Sequence, residues 1–119
     1  MEPAIGLVET NSIAIGIKVG DAMVKRALVN LLEARTVCPG KYTVLVGGDT
    51  GPVLEAMEAG VEAAGDSIVD KLFLPNVHTS VFPAIASAVE MEDVEALGII
   101  DTISVASTIV AADAAVKAA

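Results

Sequence analysis

The one cysteine of the chain, Cys38, is the residue whose chemistry is easiest to define. It lies in the segment Thr-Val-Cys-Pro-Gly-Lys at residues 36–41. A single cysteine cannot hold an iron–sulfur cluster, which needs several thiolate ligands. Copies of one loop can converge on a symmetry axis, and here Pro39 stiffens the loop while Gly40 permits a close turn. The sequence therefore leaves two interpretations open: a free loop thiol, or a cluster ligand supplied once per subunit.

The other polar motifs favour structural roles over catalysis. His78 is the only histidine, so a metal site or a nucleophile–base pair would lack its partners. The glycine-rich segment 47–51 lacks the Lys-Ser/Thr ending of a P-loop and the spacing of a dinucleotide fingerprint, which favours a strand-to-helix turn. Glu55, Glu58 and Glu62 fit the solvated face of a helix. No catalytic constellation is present, so we expect no enzyme activity.

The composition favours an oligomer. The chain has 119 residues, enough for one compact domain and not for two full ones. Hydrophobic residues make up 54% of it, yet aromatic residues make up only 3%. A short chain of this kind leaves apolar surface exposed, and association between subunits is the natural way to bury it.

The charge and the hydropathy pattern exclude several classes of partner. A formal charge of −9 disfavours nucleic acids and anionic membrane surfaces, because both need clustered lysine and arginine. We find no apolar run of the roughly 18 residues that a membrane-spanning helix needs. The first ten residues do not resemble a secretory signal, and a single cysteine fits a reducing cytosol.

The periodicity of apolar residues predicts an α+β fold with the order β-α-β-β-α-β, a split βαβ arrangement of the ferredoxin-like kind. The first helix should begin after Ser12, which can cap it, and the second should follow Asp49 or Thr50 and end at Gly65. A short helix is expected near residues 82–88. Strands are predicted at residues 4–10, 29–37, 41–46 and 67–74.

The start of the sequence recurs near its end. Residues 4–27 align without a gap on residues 96–119, and 11 of these 24 positions are identical. The matches include charged positions, among them Lys25 and Lys117, which indicates a duplication. We therefore predict a complete domain at residues 1–88, an acidic linker at 89–95, and the first strand and helix of an incomplete second domain at 96–119.

Several motifs carry a resemblance to a known family. They are Gly-Asp-Ala-Met-Val-Lys-Arg-Ala at residues 20–27, the Gly48-Asp49 turn and Leu-Pro-Asn-Val-His at residues 74–78. Together they resemble the shell domain of bacterial microcompartments (the BMC domain), over nearly the whole chain. The repeat points to the tandem-domain, trimer-forming subfamily. Residues 36–41 are similar to the tandem shell proteins of propanediol-utilisation microcompartments.

The resemblance implies a flat cyclic oligomer, a trimer or pseudo-hexamer, with a central pore. The pore would be lined by Val37, Cys38, Pro39, Gly40 and Lys41. It further implies packing of neighbouring oligomers through Lys25, His78 and Lys117 at their edges. Read without the resemblance, Lys25 is a solvated helix charge and His78 a structural residue.

The same resemblance implies a cofactor. A 4Fe-4S cluster would be held at the pore by Cys38 from each of three subunits, with a non-protein ligand on the fourth iron. If six first domains formed the ring instead, six sulfur atoms would surround the axis, which suits a small passage or disulfides better than one cluster.

The expected function is therefore structural: a shell protein in the bacterial cytoplasm that associates with itself, with other shell proteins and with encapsulated enzymes. Its pore would pass small metabolites or electrons. The alternative from another class is a soluble trimeric ligand-binding regulator built on the same split βαβ core. Such a regulator would form discrete particles rather than sheets.

Overall fold

The computed structural model describes residues 3–87 and 90–119 of the chain. These residues form two compact units, one ending at Asn76 and the other beginning at Val77. The predicted domain boundary at residue 88 and the start of the predicted linker at residue 89 lie outside the described residues. The division of the chain into a complete and an incomplete domain stays a prediction.

The first unit has the predicted α+β ferredoxin-like architecture. Its elements are β1 (Pro3–Thr10), α1 (Ile13–Arg26), β2 (Asn30–Val37), β3 (Lys41–Asp49), α2 (Thr50–Ala64) and β4 (Ile68–Leu74). The four strands form one antiparallel sheet in the order β2-β3-β1-β4. The prediction of a split β-α-β-β-α-β fold is confirmed.

The core of the first unit lies between one face of the sheet and the two long helices. Apolar residues of β1 and β3, among them Val8 and Val44, pack with Met23 of α1 and with Val53 and Met57 of α2, and all five are almost completely buried. Glycines let these layers approach. A Cβ at Gly60 would lie 2.8 Å from the Met23 side chain, and Gly16 lies against the ring of Tyr42. Close packing of small residues thus fills a core for which the sequence offers few aromatic residues.

The ends of the helices follow the local sequence signals. The Ser12 side chain accepts a hydrogen bond from the amide of Ile15 at 3.3 Å, which caps α1. Gly65 ends α2 with φ of 53°, a conformation that favours glycine. The third strand is longer than the predicted residues 41–46, because β3 continues through the glycine-rich segment to Asp49 along its partner β1.

The second unit contains a short helix, α3 (Val81–Ile85), and a longer one, α4 (Val105–Ala118). α4 begins and ends 92 residues after the corresponding ends of α1, and Ser104 caps it as Ser12 caps α1. The strand predicted at the start of residues 96–119 does not form. Residues 96–103 are irregular, and their apolar side chains Leu97, Ile99, Ile100 and Ile103 are exposed.

This difference arises because a β-strand needs neighbouring strands to which its backbone can form hydrogen bonds. β1 is hydrogen-bonded on both sides, to β3 and to β4. Within the described residues, the repeat of β1 has no such strands beside it, so a similar apolar sequence forms no ladder there. Its secondary structure is decided by distant residues rather than by its own sequence.

Candidate functional site

The predicted pore residues lie at the tip of the hairpin that joins β2 and β3. Val37 and Lys41 are paired at the end of the ladder, and the three residues between them, Cys38, Pro39 and Gly40, are exposed. Gly40 has φ of 66°, so the turn requires the conformational freedom of glycine there. The thiol of Cys38 is free and solvent-accessible. The hairpin thus holds a single accessible sulfur at its outermost point.

A buried carboxylate lies behind the tip. Glu9 of β1 is 3% exposed, and its Oε1 lies 3.9 Å from Nζ of Lys41. Among the described residues, its Oε2 has no hydrogen-bond partner, nor has Oγ1 of Thr43, the residue opposite Glu9 on β3. Glu9 was not among the site residues predicted from the sequence. The sequence did contain a feature that could have indicated it, because Glu9 is the one charged residue of the largely apolar strand β1.

Lys25 lies on the exposed side of α1. Its Nζ is 2.8 Å from Oδ2 of Asp21, one helical turn earlier, and 74% of the lysine side chain is exposed. Exposed pairs at this spacing contribute only a few tenths of a kcal/mol to helix stability. Lys25 is therefore free to make contacts with another molecule.

The structure brings His78 and Lys117 together through a residue that the sequence analysis did not select, Asp113. The backbone amide of His78 donates to Asp113 Oδ1 at 2.8 Å, and Lys117 Nζ lies 2.7 Å from Asp113 Oδ2. The amide of Ser80 donates to Nδ1 of His78 at 3.1 Å. The repeat could have indicated Asp113, because the aspartate at position 21 recurs at position 113.

The electrostatics of Asp113 follow from this environment. Burial by itself raises the pKa of the carboxyl group, since Asp113 is only 5% exposed. The hydrogen bond from the His78 amide, and the hydrogen bond and charge of Lys117, outweigh burial and hold the pKa below its ordinary value of 3.8. Asp113 is therefore a charged structural anchor of the second unit.

Neither a metal cluster nor a membrane helix is found in the part of the chain that the structure describes. No three His, Cys, Asp or Glu residues among residues 3–87 and 90–119 are grouped so that one chain could hold a metal ion. No helix in these ranges has the length and apolar character to cross a membrane. Any cluster at Cys38 would therefore need thiolates from several subunits.

Comparison with known proteins identifies the family. A family model described as the BMC domain matches residues 4–77, which include α1, α2, the hairpin tip and all of the sheet except Pro3. The chain belongs to the BMC domain family. This confirms the resemblance that the motifs at residues 20–27 and 74–78 indicated.

Relatives of this BMC domain chain include shell proteins of bacterial microcompartments and carboxysomes. It is 52% identical over 118 residues to the bacterial microcompartment shell protein PduT of Citrobacter freundii, covering 99% of this chain and 64% of that protein. It is 38% identical over 86 residues to the carboxysome shell protein CsoS1C of Hydrogenovibrio crunogenus, covering 70% of this chain and 84% of that protein.

A solved structure is similar over the whole chain. A microcompartment protein from Desulfitobacterium hafniense DCB superimposes with a TM-score of 0.93 at 52% identity, covering 100% of this chain and 66% of that one. The chain thus spans about two thirds of the length of PduT and of this structural neighbour.

Proposed function

We propose that this chain is a building block of the protein shell of a bacterial microcompartment in the bacterial cytoplasm. The observation that carries the proposal is the match of residues 4–77 to the BMC domain, together with 52% identity to the shell protein PduT. The role is structural rather than catalytic. The regulatory alternative is not favoured, because the relatives described above are shell proteins.

In this proposal the chain closes into a ring, a trimer or pseudo-hexamer, with the β2–β3 hairpin at its centre. Exposed apolar side chains on α1, β2 and α2, such as Ile17, Leu31 and Leu54, support association. The exposed tip at residues 37–41 would line a pore for small metabolites or electrons. The partners are further copies of the chain, other shell proteins and the encapsulated enzymes.

Electron microscopy of the concentrated protein, combined with the mass of the particle in dilute solution, tests this proposal. A shell protein forms rings that extend into sheets or tubes at high concentration. Discrete particles at every concentration, or a stable monomer, would contradict the proposed role.

The pore proposal has a finer part, which concerns Cys38. We propose that Cys38 from three subunits holds a 4Fe-4S cluster. This fits the accessible thiol at the hairpin tip, because the other two residues of the turn, Pro39 and Gly40, have no side-chain ligand atom. When bound, the cluster would supply one-electron transfer across the shell. The chain would contribute the thiolate and a turn that Pro39 and Gly40 keep short.

Anaerobic purification tests the cluster separately from the shell role. We expect the wild-type protein to be brown, with iron and sulfide in amounts proportional to the number of rings. The Cys38→Ser variant should be colourless and should still form rings. Colourless wild-type protein without iron would refute the cluster and leave the shell role standing. Six thiols around one axis, the arrangement of six first domains, would instead give disulfides on oxidation.

A further inference from the structure

A partly buried ion pair lies directly behind the tip of the β2–β3 hairpin. Lys41 is the first residue of β3, and 34% of its side chain is exposed. Its Nζ lies 3.9 Å from Oε1 of Glu9, a side chain that is only 4% exposed. The pair therefore joins an ammonium group that solvent can reach to a carboxylate that solvent hardly reaches.

Glu9 is suited to hold this lysine in place. Among residues 3–87 and 90–119, Lys41 is the one cation that forms an ion pair with Glu9, and Oε2 of Glu9 accepts no hydrogen bond. A buried carboxylate without a compensating charge is costly, and burial reduces the screening of its attraction for a cation. The position of the Lys41 ammonium group thus follows from the buried carboxylate.

Lys41 is close enough to Cys38 for its charge to act on the sulfur. Lys41 faces Val37 in the last pair of the ladder, so its Cα lies within about 9 Å of the Cα of Cys38. This separation is comparable with the Debye length of about 8–10 Å at physiological salt. Arg35 is equally near in the sequence, but its Nε lies 2.9 Å from Oε1 of Glu33, which compensates its charge on the same strand.

We propose that Glu9 is a positioning residue for Lys41, and that this pair sets the electrostatic potential at the sulfur of Cys38. Lys41 supplies a positive charge near the thiol. Glu9 holds the ammonium group behind the tip and offsets part of its charge. The use of this potential in the shell rests on the cluster proposed above, whereas the potential itself is a property of the single chain.

The sign of this charge suits an anionic group at the hairpin tip. A cluster held by three thiolates carries a net negative charge, which an added electron increases, and net charge is one of the factors that set its reduction potential. The chain itself has a formal charge of −9, which disfavours an anion. One Lys41 from each subunit would counter this repulsion and raise the reduction potential, and Glu9 would limit both effects.

Alkylation of Cys38 tests the inference on the full chain, reduced and freed of iron by a chelator. Iodoacetate is an anion and iodoacetamide is neutral, and the same thiolate attacks both, so the ratio of the two rates measures local charge rather than the fraction of thiolate. Lys41→Met should lower the ratio of the iodoacetate rate to the iodoacetamide rate about twofold or more, and Glu9→Gln should raise it by a similar factor. The double variant should lie between the two.

Lys71→Met is the matched control, because it removes the same charge from an exposed residue of β4. β1 separates β4 from β3, and two strand spacings amount to about 10 Å. Lys71 faces Val8, which faces Val44, three residues along β3 from Lys41. Since Lys71 thus lies beyond the Debye length of about 8–10 Å from the tip, its replacement should leave the ratio unchanged.

The midpoint potential of the iron-loaded protein, from a dithionite titration followed by EPR, is the second readout. It should fall in Lys41→Met and rise in Glu9→Gln. Equal rate ratios in the wild type and both single variants, shifts of the same sign in both, or an equal shift in Lys71→Met would overturn the inference. Loss of fold would move both single variants in one direction, so opposite shifts identify charge as the cause. Opposite shifts in the rate ratio of a protein that binds no iron would refute the cluster and support this inference, so the two can fail separately.

Discussion

At the scale of single residues, the same Asp-Lys pair performs two different tasks in one chain. Asp21 and Lys25 form an exposed pair on α1, whereas Asp113 is buried on α4 between Lys117 and the amide of His78. Identical sequence therefore does not imply an identical energetic role. Burial makes the difference, because a buried hydrogen-bonding group that loses its partner cannot turn to water instead.

Replacement of each aspartate by alanine should separate the two roles. Asp113→Ala removes a buried carboxylate that accepts the partly buried amide of His78, and should destabilise the second unit by about 1–3 kcal/mol. Asp21→Ala should lower the free energy of unfolding by about 0.5 kcal/mol or less in dilute solution, as is usual for the loss of an exposed ion pair in a helix. Amide hydrogen exchange along α1 and α4 measures both effects. Equal losses would contradict the anchoring role of Asp113.

The pKa of Asp113 predicts a dependence of stability on pH. Because its folded pKa is held below 3.8, the carboxylate contributes its full stabilisation above that value. The contribution should disappear as the pH falls through the folded pKa. The difference in unfolding free energy between the wild type and Asp113→Asn, from urea titrations, should thus be constant near neutral pH and shrink below pH 3.8. A constant difference down to strong acid would argue against this origin.

Two buried threonines in the sheet form another matched pair. Within residues 3–87 and 90–119, Oγ1 of Thr43 has no hydrogen-bond partner, while Oγ1 of Thr10 donates to the carbonyl of Ser12 at 2.7 Å. Thr43→Val should therefore raise the unfolding free energy by about 1 kcal/mol, and Thr10→Val should lower it by about the same amount. Thermal melting compares them directly. Destabilisation by Thr43→Val would mean that its hydroxyl has a partner in the folded protein.

At the scale of elements, the packing of α1 on the sheet depends on glycine at one position more than at another. A Cβ at Gly16 would collide with the inner atoms of the Tyr42 side chain, whereas a Cβ at Gly20 would meet Val44 at 3.5 Å, an ordinary contact. The two glycines are four residues apart on one helix face, so the helix context is similar.

Alanine at these two positions should therefore have opposite effects. Gly20→Ala gains helix propensity without a clash and should stabilise the first unit by up to about 1 kcal/mol. Gly16→Ala also gains helix propensity, but it forces α1 and Tyr42 apart. The packing free energy lost in this way should exceed the gain from propensity, so the variant should be less stable than the wild type. Denaturant midpoints of the two variants provide the measurement. If Gly16→Ala were as stable as Gly20→Ala, the close contact with Tyr42 would not be a constraint.

Local signals in the sequence predicted most of the fold of the first unit. Ser12 and Gly65 mark helix ends because their effects act within a few residues. The strand expected at residues 96–102 failed for the opposite reason, since β1 needs β3 and β4 beside it and its repeat lacks such partners among the described residues. The hairpin tip could be found from Cys38, Pro39 and Gly40, but the burial of Asp113 and Glu9 depends on distant residues that no local pattern reveals.

At the scale of the whole molecule, assembly depends on the surfaces that the chain exposes. The exposed side of α1 combines apolar side chains, such as Ile17, with a few charges. Lys18 and Lys25 are both exposed on this helix, but only Lys25 has a counterpart in the repeat, Lys117; position 110, the counterpart of Lys18, is valine. A single lysine contact is weak in water. Its repetition at every edge of a sheet multiplies the effect, so loss of one contact per subunit should abolish sheets without opening the ring.

Lys25→Ala and Lys18→Ala test this reasoning on the full chain. Both remove one exposed positive charge from α1, and neither residue is part of the buried core. We expect Lys25→Ala to keep the particle mass of the wild type while sheets or tubes disappear from electron micrographs, and Lys18→Ala to keep both. Because the two variants share the same change in net charge, a general electrostatic effect would impair them equally and would remove the case for Lys25 as the edge contact. Loss of the ring in Lys25→Ala alone would instead place the lysine between subunits of one ring.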